Sequence, residues 1–128
     1  MNLPRMWEGD EFDKIEASDE LRIAPLRPDG TPQNPVTTWV VSNGDHLYVR
    51  SYKGADGSWY RGAQERHEGI IHGDGVRVDV TFAEENDPAV NDQIDAAYRA
   101  KYSHYGSRYV DPMLAPRARA TTLRLLPR

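Results

Sequence analysis

The residue pattern predicts a mainly β, α+β fold: six short, mostly antiparallel strands curled into a small barrel, with few helices. Three features support this. Two turn signals, Asn43-Gly44-Asp45 and Gly73-Asp74-Gly75, each separate a pair of strand-like runs. Only one stretch, residues 88–105, holds a long helical periodicity. Six short strands would also leave unpaired edges unless the sheet closes on itself.

Residues 8–17 predict a short helix, with Phe12 and Ile15 on one face and acids near its start. Leu21 to Pro25 alternates like a strand, and Pro25 suits a strand end or edge. Residues 28–35 are dense in Pro, Gly, Asp and Asn and predict a loop. Val36 to Ser42 and His46 to Tyr52 form the first hairpin around Asn-Gly. On its return strand Leu47, Val49 and Ser51 share one face, and Tyr48, Arg50 and Tyr52 the other. A Gly-rich loop then leads into a short helix over 59–66. The second hairpin joins Gly69–His72 to Val76–Phe82, with Val76, Val78, Val80 and Phe82 inward.

Asn86-Asp87-Pro88 is a helix start: an Asx cap followed by a proline whose missing N–H costs little. Val90, Ile94 and Tyr98 give that helix an apolar stripe, to lie over a barrel end or against a partner subunit, and Gly106 is its stop. Tyr98, Tyr102 and Tyr105 continue the stripe as core or dimer interface. Residues 107–117, with Pro112 and Pro116, read as irregular, and Ala118–Leu126 as the last strand.

The 128 residues fit one domain, 1–128, and their composition is ordinary for a globular chain. No apolar run approaches a membrane span, and the acidic N-terminal stretch is unlike a secretory signal. With no cysteine, disulfides and thiol chemistry are excluded, and a cytoplasmic domain is expected. The net charge is −4, yet residues 99–128 carry seven bases and one acid. Arg117, Arg119, Arg124 and Arg128 could attract nucleic acid. An acidic body paired with a basic tail explains them better, because net negative charge opposes non-specific binding to phosphate backbones. The four histidines lie apart, none with a second ligand at metal spacing, so no metal site is expected.

Chemistry concentrates at Arg50-Ser51-Tyr52-Lys53-Gly54-Ala55-Asp56-Gly57-Ser58-Trp59. Cations, hydroxyls and backbone amides at a helix start suit a phosphate, and Trp59 could stack on a ring. The same residues also fit an ordinary strand-to-helix connection, with Trp59 plugging the core and Arg50 paired to a carboxylate. No residue stands out as a proton donor.

Trp39-Val40-Val41, Asn43-Gly44-Asp45, Leu47-Tyr48-Val49-Arg50-Ser51, Trp59-Tyr60-Arg61-Gly62-Ala63 and Ala96-Ala97-Tyr98-Arg99-Ala100-Lys101-Tyr102 together resemble the uncharacterised bacterial domain-of-unknown-function family 2255. More remotely, the strand order and the Ser51–Gly54–Trp59–Tyr60 segment resemble the split barrels that bind flavins and deazaflavins. That group contains the pyridoxamine phosphate oxidases and deazaflavin-dependent nitroreductases. The resemblance implies a split barrel, a homodimer, and FMN or a deazaflavin whose phosphate lies by the loop after the third strand. Carried over, cofactor binding falls to Arg50, Ser51, Lys53, Gly54, Ser58 and Trp59, and the implied chemistry is that of an oxidoreductase. A cofactor-free dimeric module for ligand sensing or interaction is the alternative.

Overall fold

The computed structural model describes residues 6–128. Seven strands form one antiparallel sheet: β1 (Leu21–Pro25), β2 (Val36–Thr38), β3 (Val40–Asn43), β4 (His46–Val49), β5 (Glu68–Gly73), β6 (Val76–Glu84) and β7 (Leu123–Pro127). Their order is β2-β1-β5-β6-β7-β4-β3. The two outermost strands, β2 and β3, are one stretch of chain interrupted at Trp39. The sheet therefore closes into a barrel of six staves, one of them broken. This reconciles the six predicted strands with the seven observed.

Both hairpins form, with turn residues that refine the expectation. Asn43 pairs with His46 inside the ladder, so the first loop is Gly44-Asp45, and Gly44 takes φ +61° at the first central position. Gly73 pairs with Val76, and Asp74 and Gly75 both have positive φ, the conformation of a type I′ turn.

Inside the barrel, Leu21, Ile23, Val40, Leu47, Val49, Ile71, Val78, Val80, Phe82, Leu123 and Leu125 interdigitate. Two helices plug it: α1 (Gly9–Ala17) supplies Ile15, and α2 (Ser58–Arg66) supplies Trp59 and Ala63. Gly69 is needed here, since a Cβ at that position would come within 2.7 Å of the Phe82 ring.

A second core lies outside the barrel. Helix α3 (Pro88–Tyr102), capped by the Asp87 carboxylate on the Ala89 amide at 2.9 Å, lays Ile94, Tyr98 and Tyr102 against Val41 and Tyr48. The stripe thus covers the outer face of β3 and β4. After a single 3-10 turn (Ser103–Tyr105) and Gly106 at φ +93°, two further helices follow: α4 (Ser107–Leu114) and α5 (Pro116–Arg119). The expected irregularity of 107–117 is thereby corrected. Val110 and Met113, three apart, anchor α4 in the second core, while Pro112 sits on its exposed side. Proline also suits the first turn of α5. The last strand accordingly begins at Leu123, not Ala118.

At the break in the stave, α3 supplies side chains where strand partners end. The Val40 amide donates to the Tyr102 hydroxyl oxygen at 3.1 Å, and that hydroxyl donates to the Asp19 carbonyl at 2.6 Å. The Lys101 ammonium donates to the carbonyls of Ser18 and Val40, both at 2.7 Å. Burial lowers the Lys101 amine to about 8, although Asp19 and Glu16 pull the other way.

Candidate functional site

The strand alternation that buries Leu47 and Val49 in the barrel turns Tyr48 and Arg50 outward, beneath α3. Arg50 is 0% exposed, and protein acceptors take all of its side-chain nitrogens. Its Nε donates to Thr122 Oγ1 at 2.9 Å. Nη1 donates to Asp95 Oδ1 at 2.5 Å and to the Met113 carbonyl at 3.0 Å. Nη2 reaches the Asn91 carbonyl at 3.2 Å and Asn91 Oδ1 at 3.0 Å. No donor remains for a ligand: the guanidinium joins β4, α3, α4 and the turn before β7.

The other candidates from that segment divide in the same way. Trp59 is buried in the barrel core, with its ring edge-on to Tyr60, so it is a core plug and offers no free face for stacking. Ser51 is buried; its amide donates to Thr121 Oγ1 at 2.9 Å, and its Oγ lies where a Gly57 Cβ would fall. Gly54, at φ +68°, packs against the Arg117 backbone, and its amide bonds the Ser51 carbonyl at 2.9 Å. Lys53 and Ser58 are exposed. Arg50 and Trp59 therefore lie on opposite sides of the barrel wall, one beneath α3 and the other in the barrel core. Arg50 and Trp59 are committed to the fold, for the physical reasons that the charge is paired and the ring is buried.

A different cleft opens beside this loop. Its volume is about 340 Å³, and Thr37, Thr38, Trp39, Tyr52, Arg108, Tyr109, Pro112 and Met113 line it. Tyr52 arrives from the end of β4, Trp39 from the broken stave, and Arg108 and Tyr109 from the first turn of α4. One face of Trp39 is stacked on Tyr102, centroids 4.0 Å apart and planes 4° apart, which fixes the indole. Tyr52 and Tyr109 are 57% and 58% exposed, although large aromatic side chains normally bury most of their surface. Cations stand over these rings: Lys53 Nζ is 5.8 Å from the Tyr52 centroid, and the Arg108 guanidinium 5.9 Å from that of Tyr109. Arg117 bonds the Tyr52 carbonyl from Nε and Nη2, each at 3.4 Å. The cleft thus combines apolar walls, aromatic surfaces and a cationic rim.

Sequence reasoning reached Tyr52 and Lys53 by position but missed Thr37, Thr38, Trp39, Arg108 and Tyr109. The signal was present in Trp39 within a β run and in Arg108-Tyr109 beside Val110. Pro112 and Pro116, which make 107–117 read as irregular, mask it.

Two arginines of the basic tail are neutralised within the chain. Arg119 bridges Asp92 and Asp95 at 2.8 and 2.9 Å, and Arg128 pairs with Glu68 at 2.8 Å. Among the described residues no cluster of three or more His, Cys, Asp or Glu could hold a metal ion. No helix among them is long and apolar enough to cross a membrane.

This architecture recurs in solved structures. A conserved hypothetical protein from Mycobacterium tuberculosis matches with a TM-score of 0.65 at 15% identity, covering 96% of this chain and 80% of that one. The heme storage protein HutZ from Vibrio cholerae matches at 0.64 and 15%, covering 97% and 92%. An FAD-binding protein from Mesorhizobium loti matches at 0.62 and 24%, covering 98% and 91%. At these identities the likeness establishes the fold, and the chain is a split β-barrel protein. A family model settles its kinship more narrowly: residues 11–125 match DUF2255, the uncharacterized proteins conserved in bacteria, and the chain belongs to that family. No curated protein matches it.

Proposed function

We propose that the chain binds a flavin or deazaflavin and acts in redox chemistry as a homodimer. The observation that carries this is the cleft built by Trp39, Tyr52 and Tyr109 with Lys53, Arg108 and Arg117 at its edge. The residues present fit such a group. An apolar cleft of about 340 Å³ with exposed aromatic surfaces suits a planar ring, and the cations suit the phosphate that accompanies it. Of the residues the sequence points to for phosphate, Lys53 and Ser58 have exposed side chains that can serve it. No histidine or cysteine lines the cleft, which favours a flavin-type ring over a heme.

Within this reading Tyr52 and Tyr109 hold the ring, Thr37 and Thr38 offer hydroxyls to its polar edge, and Arg108 and Lys53 hold the charge. Bound there, the ring would supply the electron carrier. The protein's part is orientation and exclusion of water. Tyr52 and Tyr109 leave aromatic surface exposed at the cleft, and a second subunit would cover it. The burial of Arg50 and Trp59 supports the other reading, a cofactor-free interaction module, in which the aromatic rim serves dimerisation alone.

Titration with FMN, FAD and a deazaflavin, followed by tryptophan and flavin fluorescence, separates the two readings. Saturable quenching that Tyr52→Ala and Arg108→Ala weaken at least tenfold supports the cofactor reading. No response to any of the three refutes it.

A further inference from the structure

A second cleft, on a different part of the barrel wall, gathers positive charge. Its volume is about 380 Å³, and its floor is Ala24 of β1 and Ile70 of β5, closed on one side by the loop Pro32–Pro35. Three basic side chains project over it in one transverse row. Arg22 of β1 pairs with His72 of β5, and His72 pairs with Arg77 of β6. Directly opposed residues on adjacent strands share one face, their Cβ atoms about 5 Å apart.

This row lacks the carboxylate partners that four other arginines have. Arg50, Arg66, Arg119 and Arg128 all meet carboxylates, whereas no ion pair or hydrogen bond engages the side chains of Arg22, His72 or Arg77 among the described residues. The nearest acid on the same face of β6 is Asp79, two residues along and opposite Ile70, outside the cleft lining. Asn34 adds an amide to the wall, likewise without a protein partner. Arg22 and Arg77 flank His72 two strands apart, and no carboxylate stands between them in that row, although a chain with 20 acidic residues has ample carboxylates to interleave. Two guanidinium forks, a ring N–H and an amide over an apolar floor form the donor set for a tetrahedral oxyanion.

We infer that this groove is a second binding site, for the phosphate group of a small phosphorylated molecule. It is separate from the aromatic cleft and does not depend on it, although Thr37, which lines that cleft, is Arg22's partner on its other side. Arg22 and Arg77 grip the phosphate oxygens, His72 and Asn34 donate at its edge, and Ile70 with Ala24 carries the apolar remainder.

Inorganic phosphate, titrated at constant ionic strength against chloride and followed by amide NMR of the full chain, tests this. Saturable shifts confined to the strands bearing Arg22, His72 and Arg77, with at least tenfold weaker binding in the Arg22→Gln/Arg77→Gln double variant and no change in Tyr52→Ala, are expected. In low-salt, phosphate-free buffer the double variant should melt at or above the wild-type temperature, because a repulsion has been removed. Shifts that chloride reproduces, unchanged affinity in the double variant, or loss of binding in Tyr52→Ala would each overturn the assignment. Should the double variant misfold, Arg77→Lys and His72→Gln keep the question decidable. Weakened phosphate binding in both supports the site, and wild-type affinity in both removes it.

Discussion

Replacing Arg50 separates a structural arginine from a ligand-holding one. Arg50→Ala removes five hydrogen bonds made by a guanidinium that has no solvent access. Breaking a buried ion pair by deleting one partner typically costs about 3–5 kcal/mol. The lower end applies, because Asp95 keeps Arg119 at 2.9 Å and Asn91 Oδ1 keeps the Thr122 hydroxyl at 2.7 Å. The Met113 carbonyl loses its Arg50 donor, and the cavity left behind adds to the loss. A cost of about 3 kcal/mol is a large fraction of the roughly 5–15 kcal/mol that holds a domain of this size. With a urea dependence of about 2 kcal/mol per molar, the unfolding midpoint falls by about 1.5 M. Arg50→Lys retains the charge but loses the fork, and should fall between wild type and alanine. If Arg50→Ala unfolds within about 1 kcal/mol of wild type and instead abolishes flavin binding, the structural assignment is wrong.

Three further outcomes follow from the packing. Tyr98 is fully buried, and its hydroxyl finds no partner of sound geometry among the described residues. Tyr98→Phe should therefore be neutral or stabilising by about 1 kcal/mol in the same urea assay, and a loss of that size would show a hidden partner. Gly69→Ala drives a methyl into the Phe82 ring and toward the Ala24 carbonyl, a contact neither can easily relieve. Overpacking of this kind costs about 1–3 kcal/mol, read as a drop in Tm, whereas an unchanged Tm would show that the barrel interior is looser than described.

The third concerns pH. The Lys101 amine, lowered to about 8 in the folded chain against 10.5 when free, binds its proton more weakly folded than unfolded. Stability from this group rises as pH climbs from about 8 toward 10. Above 10 the trend reverses, because burial raises the Tyr98 and Tyr102 hydroxyls above their ordinary value and the unfolded chain loses those protons first. Lys101→Met should flatten the rise between pH 8 and 10 in urea unfolding. An equally steep rise in that variant would assign it elsewhere.

What the sequence disclosed follows from which interactions are local. The Asp87-Pro88 start and both hairpins depend on neighbouring residues and were legible, whereas α3 ends at Tyr102, one 3-10 turn before the expected stop at Gly106. Equally legible was the placement of Arg50 on the face opposite Leu47 and Val49, through its alternation with them. Its partners were not: Asn91 and Asp95 lie some forty residues away on α3, and nothing local marks them as its acceptors. The cleft had the same difficulty, since it joins Trp39, Tyr52 and Tyr109 from three distant segments. Prolines 112 and 116 concealed the last of these by suppressing a helix that tertiary contacts of Val110 and Met113 restore.

Native mass spectrometry of freshly purified protein bears most directly on the aromatic cleft. A two-subunit ion retaining one flavin- or deazaflavin-sized molecule per subunit, lost in Tyr52→Ala, is the predicted result. A bare monomer that takes up none of these cofactors on addition would contradict it.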